Sequence, residues 1–160
     1  MLLNKRPWKP YVIAVALTEA VGALSALLTR SGTEAYTAQV VKPPLSPPAA
    51  VFPVVWAALY ALMGVGAARI WLSDPSRERT AALRLYAAQL AFNFVWSLLF
   101  FNGRYYAFAF FWLVALWALI VAMLLNFREV DRPAARMQIP YLLWVFFAGY
   151  LNFGVWMLNR

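Results

Sequence analysis

Cysteine and histidine are absent from the sequence, and only six of its 160 residues are acidic. Without cysteine there is no disulfide and no thiolate nucleophile, and without histidine the commonest acid–base catalyst near neutral pH is missing. The usual ligands of zinc and of haem iron are missing with them. We therefore expect no resident cofactor, no metal site and no thiol or imidazole catalysis.

Charged residues are scarce as well. They make up 12% of the chain, whereas hydrophobic residues make up 64% and aromatic residues 18%. A soluble domain is about one-quarter charged and about half apolar. The apolar excess is too large for the core of a water-soluble protein of this length, so the sequence predicts an integral membrane protein.

The hydrophobic residues fall into five runs, each close to the roughly 20 residues that cross a bilayer as a helix. The predicted spans are residues 11–28, 49–72, 81–101, 105–127 and 137–158. A basic stretch precedes the first run, as in a signal peptide, but four more runs follow and we interpret it as a retained anchor. The predicted fold class is all-α: one five-helix transmembrane bundle over residues 1–160.

The basic residues give the chain a net charge of +8, which in a soluble protein would suggest nucleic-acid binding. Here they are scattered between apolar runs, so we interpret them as orientation charges and expect no nucleic-acid partner. Four lie at one end of the predicted bundle and ten at the other, namely Lys5, Arg6, Lys9, Arg69, Arg77, Arg79, Arg84, Arg128, Arg132 and Arg136. The positive-inside rule predicts a multi-pass protein with a cytoplasmic N-terminus. The bacterial inner membrane is favoured over an organelle or the outer membrane.

The long first connection, residues 29–48, is rich in proline near its end. Proline fixes the backbone φ angle and removes the N–H donor, which rules out a helix in that part. Long loops are usually functional or disordered, and here the prolines and their apolar neighbours favour function. We predict a stiff lid over a pocket, with lid residues Lys42, Pro43, Pro44, Pro47 and Pro48.

Three predicted spans carry polar and aromatic residues at helical spacing. They are Trp56, Tyr60, Met63 and Gly64; Gln89, Asn93 and Trp96; and Tyr141, Trp144, Ala148, Leu151 and Asn152. Residues at i, i+4 and i+7 share one face, and an amide in hydrocarbon needs a partner, so these faces point into the bundle. Each stripe alone is typical of helix packing. Together with a lid, the three stripes predict a flat cavity with tryptophan walls.

Two further features of the spans bear on packing and function. Glu19, in the first span, is an ionisable residue inside the membrane. A bond to a neighbouring helix, a nearby water-filled cavity and direct ligand contact are all open interpretations. Gly64-xxx-Ala68 and Ala87-xxx-Ala91 match the small-xxx-small pattern, which indicates close helix packing and only weakly a dimer.

Three segments, in order along the chain, resemble one family. They are KPPLSPPAAVFPVVWAALYALMG at residues 42–64, AAQLAFNFVWSLLFF at 87–101 and IPYLLWVFFAGYLNF at 139–153. The sequence resembles the translocator protein family, also called tryptophan-rich sensory proteins or peripheral-type benzodiazepine receptors. The resemblance implies a membrane receptor, often a homodimer. It also implies that porphyrins, sterols or isoquinoline and benzodiazepine ligands bind in a cavity beneath the first loop.

The resemblance also implies a set of ligand-binding residues, which joins Tyr60 from the stripe of the second span. They are Phe52, Trp56, Asn93, Trp96, Phe108, Trp144, Ala148 and Leu151. Two departures from the family pattern stand out. Many members have a tryptophan before the second proline pair of the lid, where this chain reads Leu45-Ser46, so either one aromatic wall of the pocket or a photochemical electron donor is expected to be missing. No basic residue follows Tyr150 closely enough for the proposed cholesterol motif.

Three functions fit this reading. The favoured one is a receptor or sensor for metal-free, protoporphyrin-type tetrapyrroles and other flat apolar ligands, with Lys42 or Arg104 meeting a propionate. The second is light- or oxygen-dependent porphyrin degradation, in which indoles act as radical partners, since the chain supplies no general base or nucleophile set. The third is porphyrin or sterol transport, although the sequence has no inverted repeat and no charge relay.

Overall fold

The computed structural model describes residues 7–160, and within them every regular element is helical. The predicted orientation charges Lys5 and Arg6 lie outside the described residues. The helices are α1 (Trp8–Leu28), α2 (Arg30–Gln39), α3 (Val51–Trp71), α4 (Arg77–Ser97), α5 (Tyr106–Val130), α6 (Arg132–Met137) and α7 (Ile139–Leu158). A single π-helical stretch, Leu98–Asn102, extends α4. The all-α prediction is confirmed.

Five segments of the described chain are long and apolar enough to cross a membrane. They are α1, α3, α4 with its π-helical stretch, α5, and α6 with α7, and they match the five predicted spans to within a few residues, apart from the short helix α6. Glycine sets the separation of α1 and α3: a Cβ on Gly64 would lie 2.6 Å from the Cα of Val15. The glycine of the Gly64-xxx-Ala68 pattern therefore lies at a contact between two helices of one chain.

The charged break before the last span is smaller than expected. Only Asp131 leaves the helical conformation, and its carboxylate accepts a hydrogen bond from the backbone N–H of Ala134 at 2.7 Å. Capping of this kind starts a new helix at once, with Pro133 in its first turn. The same carboxylate pairs with the Arg69 guanidinium at 2.8 and 3.1 Å, which fastens α6 to α3.

The predicted lid loop contains a helix that the sequence analysis missed. Helix α2 occupies the first half of residues 29–48, and the proline-rich half that follows has no regular structure. Gly32 lets α2 approach the π-helical stretch closely, since a Cβ there would lie 2.7 Å from the backbone carbonyl group of Phe101. Asn102 continues the contact by donating to the Leu28 carbonyl at 2.9 Å. Helix α2 and the prolines together cover one end of the bundle.

Candidate functional site

A cavity of about 510 Å³ lies beneath the lid, between α1, α3, the π-helical stretch and α7. Its volume is within the range of pockets that hold small-molecule ligands, about 300–1,000 Å³. Apolar and aromatic side chains form most of its wall, as is usual for such pockets.

One tryptophan from each of three helices lines this cavity: Trp56 of α3, Trp96 of α4 and Trp144 of α7. The rings of Trp56 and Trp144 are perpendicular with centroids 6.5 Å apart, and Phe52 meets Trp144 edge-on at 5.9 Å. Trp96 is held by its indole N–H, which donates to Asn152 Oδ1 at 3.1 Å. These contacts fix the rings as rigid walls. Ala148 and Leu151, also predicted as site residues, line the cavity beside them.

A buried chain of hydrogen bonds closes the cavity floor. Tyr60 stacks on Trp56 at 5.4 Å, and its hydroxyl donates to Asn93 Oδ1 at 2.9 Å. Asn93 Nδ2 donates to the Tyr141 hydroxyl at 2.9 Å, and that hydroxyl donates to Gln89 Oε1 at 2.7 Å. Tyr60 reaches the cavity, but Asn93 does not line it. Asn93, predicted as a ligand-binding residue, therefore lies below the floor, where its amide supports Tyr60.

Phe108 also lies away from the cavity. Its side chain is 56% exposed on the outside of α5, with its ring 6.1 Å from that of Trp112. The neighbouring residue, Ala109, is fully buried, so α5 is rotated to present alanine to the core at this level. Arg104, expected near a ligand carboxylate, does not line the cavity either.

The prolines of the lid divide into two pairs with different roles. Pro47 and Pro48 line the cavity. Pro43 instead packs against α7, where a Cβ on Gly154 would lie 2.5 Å from the proline ring. The Pro44 carbonyl accepts a hydrogen bond from the Tyr150 hydroxyl at 2.8 Å. The first pair anchors the lid and the second faces the space beneath it.

A second anchor lies at the end of α7. The Val41 N–H donates to Asn159 Oδ1 at 3.0 Å, and Asn159 Nδ2 donates to the Val41 carbonyl at 2.9 Å. Between the anchors and the second proline pair, Leu45 adopts a left-handed conformation with φ 66° and is 81% exposed. Leu45 itself does not line the cavity, but the adjacent Ser46 does, and neither position carries an aromatic ring.

Helix α2 contributes a polar edge that the sequence analysis did not predict. Thr33, Tyr36 and Thr37 line the cavity. Tyr36 contacts the rings of Phe100 and Phe101, each at 5.4 Å between centroids. Burial, and to a smaller extent the nearby Tyr106, raises the pKa of the Tyr36 phenol. Tyr36 is therefore neutral at physiological pH.

Helix α1 contributes Gly22 and Ser25, and Thr29 follows at its C-terminal cap; these residues were also missed. Together with Thr18 they stand at spacings of four, three and four residues, so they share one helix face. A polar and small stripe in an otherwise apolar span was the signal that could have found them. Glu19, the residue considered instead, is half-buried and does not line the cavity.

Among the described residues that line the cavity, Lys42 alone carries a formal charge. Its ammonium group donates to the Thr37 carbonyl at 3.0 Å and lies 5.3 Å from the centre of the Tyr36 ring. The site thus combines rigid aromatic walls with one positive charge at the lid. That combination suits a flat apolar guest with an acidic edge.

Comparison with known proteins places this architecture in a family. The model of the TspO/MBR family matches residues 14–157. The translocator protein of Bos taurus is 37% identical over 96% of this chain and 92% of its own length. The tryptophan-rich protein TspO of Chlorobaculum tepidum is 35% identical over 92% of this chain and 94% of its own. Protein CrtK of Rhodobacter capsulatus is 36% identical over 93% and 90%. The chain belongs to the TspO/MBR family of multi-pass membrane proteins.

Proposed function

We propose that the protein is a membrane receptor or sensor that holds a protoporphyrin-type tetrapyrrole in the cavity beneath its lid. The observation that carries this proposal is the convergence of Trp56, Trp96 and Trp144 on one cavity beneath the lid. A porphyrin is flat and apolar with acidic propionates, and indole rings favour stacked or edge-on contacts with such a surface. The name of a Cereibacter sphaeroides relative, tryptophan-rich sensory protein, supports a sensing role.

The polar groups around the cavity support a particular orientation of the guest. A propionate at the lid would meet the Lys42 ammonium group, while the macrocycle lies between the tryptophan walls. Because the chain has no histidine or cysteine, the protein lacks the usual axial ligands of haem iron. The preferred guest is therefore the metal-free macrocycle.

Quenching of tryptophan fluorescence tests the proposal and ranks the ligand classes. Protoporphyrin, a sterol and an isoquinoline are titrated in turn into the protein purified in a neutral detergent. We expect saturable quenching that is strongest with protoporphyrin, and weaker binding of its iron complex. Quenching that never saturates, or that is equal for all three ligands, would remove the tetrapyrrole assignment.

Transport is the second candidate, because the Bos taurus and Homo sapiens relatives are named translocator proteins. The cavity lies at one end of the bundle, and its floor is closed by Tyr60 and the amide chain beneath it. This geometry favours retention of a guest over its passage. Porphyrin flux into proteoliposomes above the rate of protein-free vesicles would favour transport. Bilin-like absorbance after illumination of the complex would favour the third function, photodegradation.

The proposal also includes the location, orientation and oligomeric state of the protein. It lies in the bacterial inner membrane with a cytoplasmic N-terminus and forms a homodimer. The exposed side chains of Ala87 and Ala91 leave one face of α4 open to another helix. Protease protection of tags at the two termini in vesicles tests the orientation. Light scattering of the protein in detergent tests the oligomer, and a mass equal to one chain would contradict the dimer.

A further inference from the structure

At the end of the bundle opposite the lid, three arginines surround one surface groove. The groove, of about 290 Å³, lies where α5, α6 and α7 meet and is lined by Leu124, Arg128, Arg132, Ala135, Arg136 and Ile139. All three arginines are exposed. Arg128 lies at the end of α5 and the other two in α6, and the junction of these helices brings all three to one groove.

The salt bridges found within residues 7–160, Arg30–Glu34 and Arg69–Asp131, do not include an arginine of the groove. A guanidinium group presents a planar fork of N–H donors that matches phosphate oxygens. Basic residues that only set the orientation of a membrane protein need no more than contact with water. These three arginines instead line one concave surface.

An apolar stripe continues from the groove along the outside of α7. Ile139, Leu143 and Phe146 are 42%, 63% and 69% exposed. They stand at i, i+4 and i+7, so they share one helix face that runs from the arginines toward the middle of the span. The surface therefore presents positive charge at the membrane boundary and a hydrocarbon-facing track beside it.

We propose that this groove is a binding site for an anionic phospholipid. Its phosphate headgroup lies between Arg128, Arg132 and Arg136, and its acyl chain lies along the α7 stripe. Basic pockets at the ends of transmembrane helices bind such headgroups because the negative charge of anionic lipids lies at the membrane surface, at the level of the helix ends. The charge complementarity selects an anionic lipid, and the apolar track distinguishes a lipid from free phosphate.

Native mass spectrometry of the full-length protein in neutral detergent tests the proposal, with phosphatidylglycerol and phosphatidylcholine as probes. Each arginine near an anionic headgroup strengthens binding about fivefold, so R128Q/R132Q/R136Q is expected to weaken phosphatidylglycerol binding about a hundredfold. The matched control is R77Q/R79Q/R84Q, which removes the same charge at the same end of the bundle outside the groove. It is expected to change binding less than about threefold.

Three results would overturn the proposal. Equal losses in the two triple variants would mean diffuse attraction, and equal affinity for the two lipids would mean that headgroup charge is not recognised. Complete displacement of phosphatidylglycerol by millimolar inorganic phosphate would mean an anion site without a lipid. Should the triple variant fail to fold, Arg132→Gln alone is expected to cost about fivefold. If Leu143→Ser weakens binding of the lipid but not of phosphate, the result would support contact of the acyl chain with the α7 stripe.

Discussion

Removing the hydrogen bonds that Asn159 and Tyr150 make to the lid is expected to open the cavity without disturbing its walls. The perturbation is Asn159→Ala combined with Tyr150→Phe. It removes two hydrogen bonds to Val41, at 3.0 and 2.9 Å, and one to the Pro44 carbonyl, at 2.8 Å. None of the altered side chains lines the cavity. The variant therefore separates closure of the lid from recognition of the guest.

The magnitude follows from the three bonds. Because they lie at an exposed edge, each contributes about 0.5–1 kcal/mol, near the lower end for hydrogen bonds in proteins. Their loss lowers the free energy of lid docking by about 1.5–3 kcal/mol, which raises the open fraction about 10- to 150-fold. Arg30→Ala is the control, because its ion pair with Glu34 lies on the same lid but is largely exposed and contributes little.

A thiol introduced under the lid reports the opening. Since the chain has no cysteine, Ser97→Cys gives a single reactive group in the cavity wall. Its labelling by a charged methanethiosulfonate reagent is expected to accelerate about 10- to 150-fold in the double variant and to stay unchanged with Arg30→Ala. Equal labelling rates in the double variant and the parent would refute the view that these bonds hold the lid closed.

Three other substitutions test separate parts of the account. Gly64→Val is expected to lower thermal stability strongly, by about 2 kcal/mol or more, because its Cβ would meet the α1 backbone 2.6 Å away at Val15; a normal melting temperature would contradict this. Tyr141→Phe removes the hydrogen-bond partner of Asn93 Nδ2 and of Gln89 Oε1 and is expected to cost about 1 kcal/mol of stability, measured by denaturant unfolding; no cost would contradict this. Lys42→Gln is expected to weaken binding of protoporphyrin but not of its dimethyl ester; equal losses for both would show that its charge is not used.

The five spans were predictable because the thickness of the hydrocarbon layer fixes how long an apolar helix must be. Helix α2 was not predictable in this way. Its sequence, RSGTEAYTAQ, has no apolar run, and its docking depends on the close approach of Gly32 to the π-helical stretch. Tertiary contact of this kind leaves no local pattern, so only the proline-rich half of the lid could be predicted.

The site residues, too, were only partly predictable from the sequence. The stripes of α3 and α7 point into the bundle as their spacing indicated, and part of each lines the cavity, but spacing does not give depth. Asn93 and Trp96 share a face of α4, yet a rise of 1.5 Å per residue puts them about 4.5 Å apart along its axis. Trp96 therefore reaches the cavity and Asn93 lies under its floor.

The position of Phe108 outside the cavity was not predictable for a different reason. Helix α5 is apolar on all sides, so its sequence carries little information about which face turns inward. The position of Phe108 was inferred from the family resemblance alone. In the structure the fully buried residue at this level is Ala109.

The central claim, that Trp56 and Trp144 form the walls of a tetrapyrrole site, is tested most directly by titrating protoporphyrin into Trp56→Ala/Trp144→Ala. The control is Trp71→Ala/Trp117→Ala, which removes two exposed indoles outside the cavity. Each wall contributes about 1 kcal/mol or more, so the cavity variant is expected to bind about thirtyfold more weakly or worse, and the control to bind normally. Unchanged affinity in the cavity variant, measured by the absorbance of the bound porphyrin, would contradict the account.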